Sequence, residues 1–115
     1  PLADGDRVLI IEDVTTAGTS IRETVPILQA AAAIDLKGLI ISVDRMEKGP
    51  TGKGSALEEV GQTFSMRTEA IVDLDDIVEH LHPNRGSPHA IETSDLERIQ
   101  AYRAEFGVAS RRSTK

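Results

Sequence analysis

The sequence predicts an α/β domain with a mainly parallel sheet flanked by helices, and three observations support this prediction. Residues 7–13 and 38–45 are short, β-branched, almost continuously apolar runs. Such runs are typical of strands buried on both faces, which is the signature of a parallel sheet. A segment of helical length and periodicity lies between the two runs. Strand, helix and strand with short connections form one βαβ unit, so we expect the two strands to be parallel.

Each element follows from local pattern. The first strand ends in two acids and leads into a turn of small residues. The next helix is predicted over residues 20–33, because Ser20 and Glu23 have capping-box spacing, and Pro26 inside it predicts a kink or an irregular turn. The second strand is followed in order by a polar loop over 46–54, a short helix over 55–62, a weaker strand over 68–72, a helix over 73–81, a turn-rich linker over 82–88 and an amphipathic helix over 92–106.

Composition excludes several classes of protein. The chain has 115 residues, which is one domain at most, and its net charge of -6 argues against general nucleic-acid binding. It has no cysteine and no apolar run approaching the ~18 residues of a membrane span. We therefore expect a cytoplasmic protein without nucleic-acid or membrane partners. Because the chain starts at Pro1 almost directly with a strand, we expect a truncated or processed chain, with a partial domain over 1–108 and a disordered basic tail over 109–115.

The turn between the first strand and the first helix carries the candidate chemistry. Ligands of open α/β sheets bind at the carboxyl ends of the strands, and a helix start offers free N–H groups to an anion. Small residues let the backbone approach that anion, and hydroxyls add donors. The segment therefore predicts a phosphate cradle without lysine, formed by Val14, Thr15, Thr16, Ala17, Gly18, Thr19 and Ser20.

Two acids, Glu12 and Asp13, immediately precede this cradle. A bare phosphate would be repelled by them, whereas sugar hydroxyls or a divalent cation would suit them. The site therefore indicates a ribose 5-phosphate. The alternative is purely structural, since many α/β domains have a strand that ends in Asp before a glycine turn and a helix.

Arg45 ends the second predicted strand, so a parallel sheet places it at the same edge as Glu12 and Asp13. A guanidinium there can bind a carboxylate through two parallel hydrogen bonds. The alternative for Arg45 is an ion pair with Asp44 or Glu47.

Other motifs are weaker. Residues 49–55 resemble a P-loop, but the glycine spacing is too short. The three histidines, at positions 80, 82 and 89, do not share a helical face, so no protein metal site is expected.

The string from Val8 to Thr19 resembles the binding signature of type I phosphoribosyltransferases, and its Thr-Thr-Ala-Gly-Thr turn is similar to that of orotate phosphoribosyltransferases. The resemblance continues through residues 41–45, 47–49, 55–60 and 102–108, and so covers nearly the whole chain up to Val108. Pro26 and a slightly long 46–54 loop depart from the family pattern. The family's N-terminal region, its pyrophosphate-binding loop and its lysine-bearing mobile loop would all precede Pro1.

The resemblance implies the C-terminal part of a type I phosphoribosyltransferase (Rossmann-like) fold. It implies an enzyme of pyrimidine nucleotide synthesis that transfers ribose 5-phosphate from phosphoribosyl pyrophosphate to orotate, giving orotidine 5′-phosphate and pyrophosphate. It also implies that Mg²⁺ is carried with the pyrophosphate donor, and that the intact enzyme is a homodimer. The isolated chain is expected to be inactive. The alternatives are a non-catalytic phosphoribosyl-pyrophosphate-binding regulator, an inactive fragment, or another type I phosphoribosyltransferase.

The resemblance also assigns roles to residues. Glu12 and Asp13 would be catalytic, holding the ribose 2′ and 3′ hydroxyls and stabilising the positive charge that develops on the sugar. The stretch from Glu12 to Ser20 would bind phosphoribosyl pyrophosphate, with the 5-phosphate at Thr15 to Ser20. Thr16 and Arg45 would contact orotate.

Overall fold

The computed structural model describes residues 1–15 and 17–110. Thr16, predicted to contact both substrates, lies outside the described residues, as do residues 111–115 of the predicted tail. The elements are β1 (Arg7–Val14), α1 (Thr19–Ala31), β2 (Asp35–Asp44), α2 (Ala56–Phe64), β3 (Arg67–Asp73), α3 (Leu74–Leu81), a 3₁₀ helix (Pro83–Arg85) and α4 (Thr93–Phe106). The predicted strands and helices are therefore present, with ends displaced by at most three residues.

The described strands form one sheet in the order β1-β2-β3, and both pairs are parallel. Val43 of β2 is in register with Val14 of β1 and with Val72 of β3. The carboxyl ends of the three strands therefore lie at one edge of the sheet, and the predicted fold class is confirmed.

The core lies on one face of the sheet. Side chains of β1 and β2 pack there against α1 and α2, and the buried cluster consists of Ile10, Ile21, Val25, Leu39, Ile41, Leu57, Val60 and Met66. On the opposite face, Leu9 is 51% exposed, Ile11 is 75% exposed and Ile71 is 73% exposed. The prediction that β1 is buried on both faces is therefore wrong, because within the described residues α1 and α2 cover only the face that carries Ile10.

The start of α1 differs from its prediction. The helix begins at Thr19, and its N-cap is Gly18 in the left-handed conformation, with φ 71° and no side-chain cap. Ser20 therefore lies inside the helix and caps nothing. The helix also continues without a break through Pro26, whose side chain is exposed.

Capping boxes occur instead at the two following helices. The Ser55 hydroxyl accepts from the Glu58 N–H at 3.1 Å, and the Glu58 carboxylate accepts from the Ser55 N–H at 3.0 Å. Asp73 and Asp76 form the same reciprocal pair at the start of α3. Each box satisfies N–H groups that have no partner inside the helix.

Helix α4 is held mainly by polar contacts. Leu96 is its one residue described as buried, although the sequence predicts an amphipathic helix. The Arg103 guanidinium lies 2.6 Å from the buried Asp75 carboxylate of α3, and the Ser110 hydroxyl donates to that carboxylate at 2.7 Å.

In the part of the chain that the structure describes, none of the helices has the length and apolar character needed to cross a membrane.

We expect Ser55→Ala to lower the free energy of unfolding by about 1–2 kcal/mol, because it removes the α2 cap. Ser20→Ala is the matched control, since it has the same Ser-x-x-Glu spacing but no capping bond. It should change stability by less than about 0.5 kcal/mol. Urea denaturation followed by circular dichroism measures both, and equal losses would contradict this account of the two helix starts.

Candidate functional site

The turn between β1 and α1 is held by its own hydrogen bonds. The buried Thr15 hydroxyl accepts from the Gly18 N–H at 2.9 Å. The Asp13 carboxylate accepts from the Val14 N–H at 2.6 Å. Glu12 is half-buried and in register with Ile41 of β2. Both predicted acids therefore lie at the carboxyl edge of the sheet, directly before the turn.

The start of α1 faces this edge without a side-chain cap. The first N–H groups of a helix have no partner within it, and the helix dipole makes this end positive. Ala17, Thr19 and Ser20 are exposed, so their backbone and hydroxyl groups are accessible. These groups have the chemistry that binds an anion, and the phosphate site that the sequence predicts at this turn stays a prediction.

Gly18 is required both by its backbone conformation and by the close packing around it. Its φ of 71° is unfavourable for residues with a side chain, and a Cβ there would lie 2.2 Å from Cγ2 of Val60. Val60 belongs to α2 and is fully buried. The β1–α1 turn therefore packs closely against α2 at Gly18. The contact with Val60 could not be predicted from the sequence, because no local pattern links residue 60 to residue 18.

Arg45 follows β2 at the same edge, and its guanidinium is paired within its own loop and with α4. Its Nη2 lies 2.6 Å from Oε1 of Glu47 and donates to the Tyr102 hydroxyl at 3.4 Å. The Tyr102 hydroxyl in turn donates to Oε1 of Glu47 at 2.9 Å. Of the two ion pairs weighed for Arg45, the structure shows the one with Glu47, while Asp44 accepts from the Met46 N–H at 2.8 Å.

The carboxylate of Glu47 also acts on Tyr102. Its hydrogen bond raises the pKa of the Tyr102 phenol above the ordinary value. A phenol is protonated at neutral pH even without this effect, and the raised pKa widens the pH range over which Tyr102 remains a donor. Tyr102 could not be found from the sequence, because it lies 57 residues from Arg45.

Arg45 borders a cavity of about 620 Å³ between the end of β2, the start of α3 and residues 95–102 of α4. The lining residues are Arg45, Glu47, Leu74, Asp95, Arg98, Ile99 and Tyr102. Among the described residues of the β1–α1 turn, none lines this cavity. The turn and Arg45 thus share an edge of the sheet without forming one enclosed pocket in this chain.

A metal site formed by protein side chains is not found in the described ranges. No three His, Cys, Asp or Glu side chains among residues 1–15 and 17–110 lie together in a way that could hold a metal ion.

The fold is that of an α/β domain with a parallel sheet, and its uncapped helix start lies at the sheet edge where such domains commonly bind ligands. No protein-family model matches the chain. It is, however, 49% identical over 112 residues to an orotate phosphoribosyltransferase of Lachnoclostridium phytofermentans, covering 94% of the chain and 48% of that relative. A Clostridium acetobutylicum orotate phosphoribosyltransferase is also 49% identical, over 108 residues, with 93% of the chain and 48% of the relative covered.

A solved structure shows the same relationship. The crystal structure of orotate phosphoribosyltransferase from Francisella tularensis matches with a TM-score of 0.68 and 26% identity, covering 89% of this chain and 47% of that one. The chain therefore spans about half the length of the relatives it matches. The predicted resemblance is confirmed: the chain is homologous to the C-terminal part of orotate phosphoribosyltransferases.

Proposed function

We propose that this chain supplies the phosphoribosyl-binding part of an orotate phosphoribosyltransferase. The intact enzyme would transfer ribose 5-phosphate from phosphoribosyl pyrophosphate to N1 of orotate, releasing pyrophosphate, in pyrimidine nucleotide synthesis. The observation that carries the proposal is the 49% identity to a protein of that name over 94% of the chain. The uncapped start of α1 beside two carboxylates supports it independently.

The β1–α1 turn would bind the donor. Its 5-phosphate would accept from the free N–H groups at the start of α1, with hydroxyls of the turn as further donors. The residues proposed for this contact are Val14, Thr15, Thr16, Ala17, Gly18, Thr19 and Ser20. The Thr15 hydroxyl oxygen accepts from the Gly18 N–H and would thereby stabilise the conformation of the turn. Its proton would remain available to a phosphate oxygen.

The two acids would act on the sugar. Glu12 and Asp13 would accept hydrogen bonds from the ribose 2′ and 3′ hydroxyls. As the bond to pyrophosphate breaks, the ribose becomes cationic, and two nearby carboxylates stabilise that charge more than they stabilise the neutral ground state.

Arg45 and Thr16 would contact the base. Orotate carries a carboxylate, and in the described residues no hydrogen bond or ion pair involves Nε or Nη1 of Arg45. Each of those donors is therefore open to a single hydrogen bond with a carboxylate oxygen, while Nη2, which belongs to both donor pairs of a guanidinium, is held by Glu47 and Tyr102.

Magnesium would arrive with the donor. Mg²⁺ prefers oxygen ligands and commonly binds through substrate phosphates together with few protein carboxylates. Glu12 and Asp13 provide the carboxylate chemistry beside the donor, and pyrophosphate oxygens would supply the other ligands. We further propose a homodimeric, cytoplasmic enzyme in which residues 1–108 form the partial catalytic domain, followed by a basic tail, and in which the isolated chain does not turn over.

The function is tested by assaying the intact enzyme with donor, Mg²⁺ and one base at a time: orotate, uracil or hypoxanthine. We expect orotidine 5′-phosphate from orotate and no comparable product from the others. Product from hypoxanthine alone would indicate another type I phosphoribosyltransferase. Tight donor binding in calorimetry without any product would indicate a phosphoribosyl-binding regulator.

We expect Glu12→Gln and Asp13→Asn to lower kcat by about 10- to 100-fold while changing the donor Kd much less, because the lost charge matters most in the transition state. Steady-state kinetics and calorimetric titration of the donor measure the two effects. Asp35→Asn is the matched control, since Asp35 is an exposed carboxylate at the amino end of β2. Wild-type turnover in both test variants would contradict the proposed role.

A further inference from the structure

The loop that carries Arg45 has an unusual backbone at its centre. Met46 has a positive φ of 56°, although it is not glycine, and its side chain is fully buried. The Met46 N–H donates to the buried Asp44 carboxylate at 2.8 Å. This left-handed residue lies between Arg45 and Glu47, the two residues whose side chains pair. The conformation is strained, so surrounding contacts must maintain it.

Those contacts come from the end of α4. The Met46 carbonyl accepts from the Val108 N–H at 2.8 Å, and the Lys48 N–H donates to the Phe106 carbonyl at 2.8 Å. Glu47 and Gly107 form an antiparallel bridge between these two bonds. The Arg45 loop is thus joined on its backbone to the exit of α4, more than fifty residues later in the chain.

The same helix also reaches the guanidinium through a side chain. Tyr102, Glu47 and Arg45 form a closed triangle, with distances of 2.9 Å between Tyr102 and Glu47, 2.6 Å between Glu47 and Arg45, and 3.4 Å between Arg45 and Tyr102. The Tyr102 ring packs against Phe106 with centroids 4.8 Å apart, which holds the phenol in place. Glu47 is largely buried, whereas the Arg45 side chain is 42% exposed.

We propose that Tyr102 and Glu47 are positioning residues for Arg45, so that helix α4 determines how the base site presents its guanidinium to the orotate carboxylate. This inference rests on the proposed function. The triangle holds Nη2, and among the described residues neither Nε nor Nη1 has a hydrogen bond or ion pair, so each can donate to a ligand. Without it, a long and half-exposed arginine side chain would have to lose its rotamer freedom when orotate binds.

Tyr102 would have a second effect on the same site. Glu47 alone would repel an incoming carboxylate, because like charges interact unfavourably at short range. The Tyr102 hydroxyl donates to Oε1 of Glu47, and the Arg45 guanidinium forms its ion pair with the same oxygen. The phenol therefore reduces the negative charge that orotate meets while keeping Glu47 in contact with Arg45.

The rival explanation is that the triangle only fastens α4 to the rest of the domain. The variant Tyr102→Phe distinguishes the positioning role from this purely structural role, because it keeps the ring packed on Phe106 and removes only the hydroxyl. If Tyr102 is a positioning residue, the variant should raise the KM for orotate by about fivefold or more, which is the scale of one hydrogen bond. The KM for the donor and kcat should change by less than about twofold.

A double-mutant cycle in the intact enzyme tests whether Tyr102 acts through Arg45. The Tyr102→Phe effect on the orotate KM should disappear when Arg45 is already replaced by Met. Glu47→Gln should raise the orotate KM at least as much as Tyr102→Phe does. Glu97→Gln, the same charge change at an exposed position of α4, should leave it unchanged. In ¹⁵N NMR spectra, the Arg45 Nε–Hε signal should be sharp in the wild type and broadened in Tyr102→Phe.

The outcomes separate this inference from the proposed function. If Arg45→Met weakens orotate binding but Tyr102→Phe changes neither the orotate KM nor the Arg45 signal, the positioning role is wrong and the base site stands. If the wild type makes no orotidylate, the proposed function is wrong, and the NMR comparison decides the positioning role by itself. A Tyr102→Phe variant that loses only thermal stability would support the fastening role instead and overturn the inference.

Discussion

Arg45→Met is expected to raise the KM for orotate by about 10- to 150-fold while leaving the KM for phosphoribosyl pyrophosphate within about twofold. The expected loss corresponds to about 1.5–3 kcal/mol, the cost of removing a hydrogen bond to a charged group. Orotate and uracil differ by one carboxylate, and a cation is the group that distinguishes them most strongly. The parallel register of β1 and β2 places Arg45 at the same edge as the acids that would hold the ribose.

The variant Arg45→Lys should recover only part of this loss, because a compact ammonium group cannot contact Glu47, Tyr102 and the orotate carboxylate at once, as the separate nitrogens of a guanidinium can. Arg67→Met is the matched control, since Arg67 also lies at one end of a strand but begins β3, at the opposite edge of the sheet. Steady-state kinetics with each substrate varied in turn give the KM of each variant for orotate and for the donor. Unchanged orotate kinetics in Arg45→Met would show that Arg45 serves only as the ion-pair partner of Glu47.

Gly18→Val is expected to abolish donor binding and to destabilise the fold strongly. Two costs add at this position: the positive φ, at about 1–2 kcal/mol, and the overlap with Val60, at about 1–3 kcal/mol even for a single added carbon. The added Cβ would lie 2.2 Å from Cγ2 of Val60, and this fully buried side chain cannot move away freely.

Gly52 provides an internal control for the backbone cost. It has the same φ of 71°, and a Cβ there would meet nothing within 4 Å. We therefore expect Gly52→Ala to cost about 1–2 kcal/mol and Gly18→Ala about 2–5 kcal/mol. Val60→Ala should restore part of the difference when combined with Gly18→Ala. Urea denaturation and calorimetric donor titration measure these effects, and equal losses at the two glycines would mean that the contact with Val60 is unimportant.

The strands and helices could be predicted because their signals are local. Apolar runs of strand length and helical periodicities depend on neighbouring residues, and all the predicted elements are present within three residues of their expected ends. The same local reasoning failed at the start of α1. Ser20 and Ser55 both stand three residues before a Glu, but a bond from the Gly18 N–H to Thr15 shapes the entry to α1, and the helix begins before Ser20.

The candidate site divides in the same way. The acids and the small-residue turn could be identified from consecutive residues, and the fold places them at one edge of a parallel sheet. The partner of Arg45 was left open between Asp44 and Glu47, and the structure selects Glu47. The role of Tyr102 had no signal in the sequence, because it depends on where α4 packs.

The sequence by itself therefore determined the α/β class, the parallel strands and the composition of the β1–α1 turn, since each follows from patterns within single elements and from the order of strand, helix and strand. Only the tertiary structure decided which face of β1 is covered, that Gly18 rests on Val60, and that Arg45 is held by Glu47 and Tyr102. Gly18 and Val60 are 42 positions apart, and Arg45 and Tyr102 are 57 positions apart. Contacts at such separations arise from the packing of whole helices against the sheet, and no local pattern of side chains specifies which atoms that packing brings together.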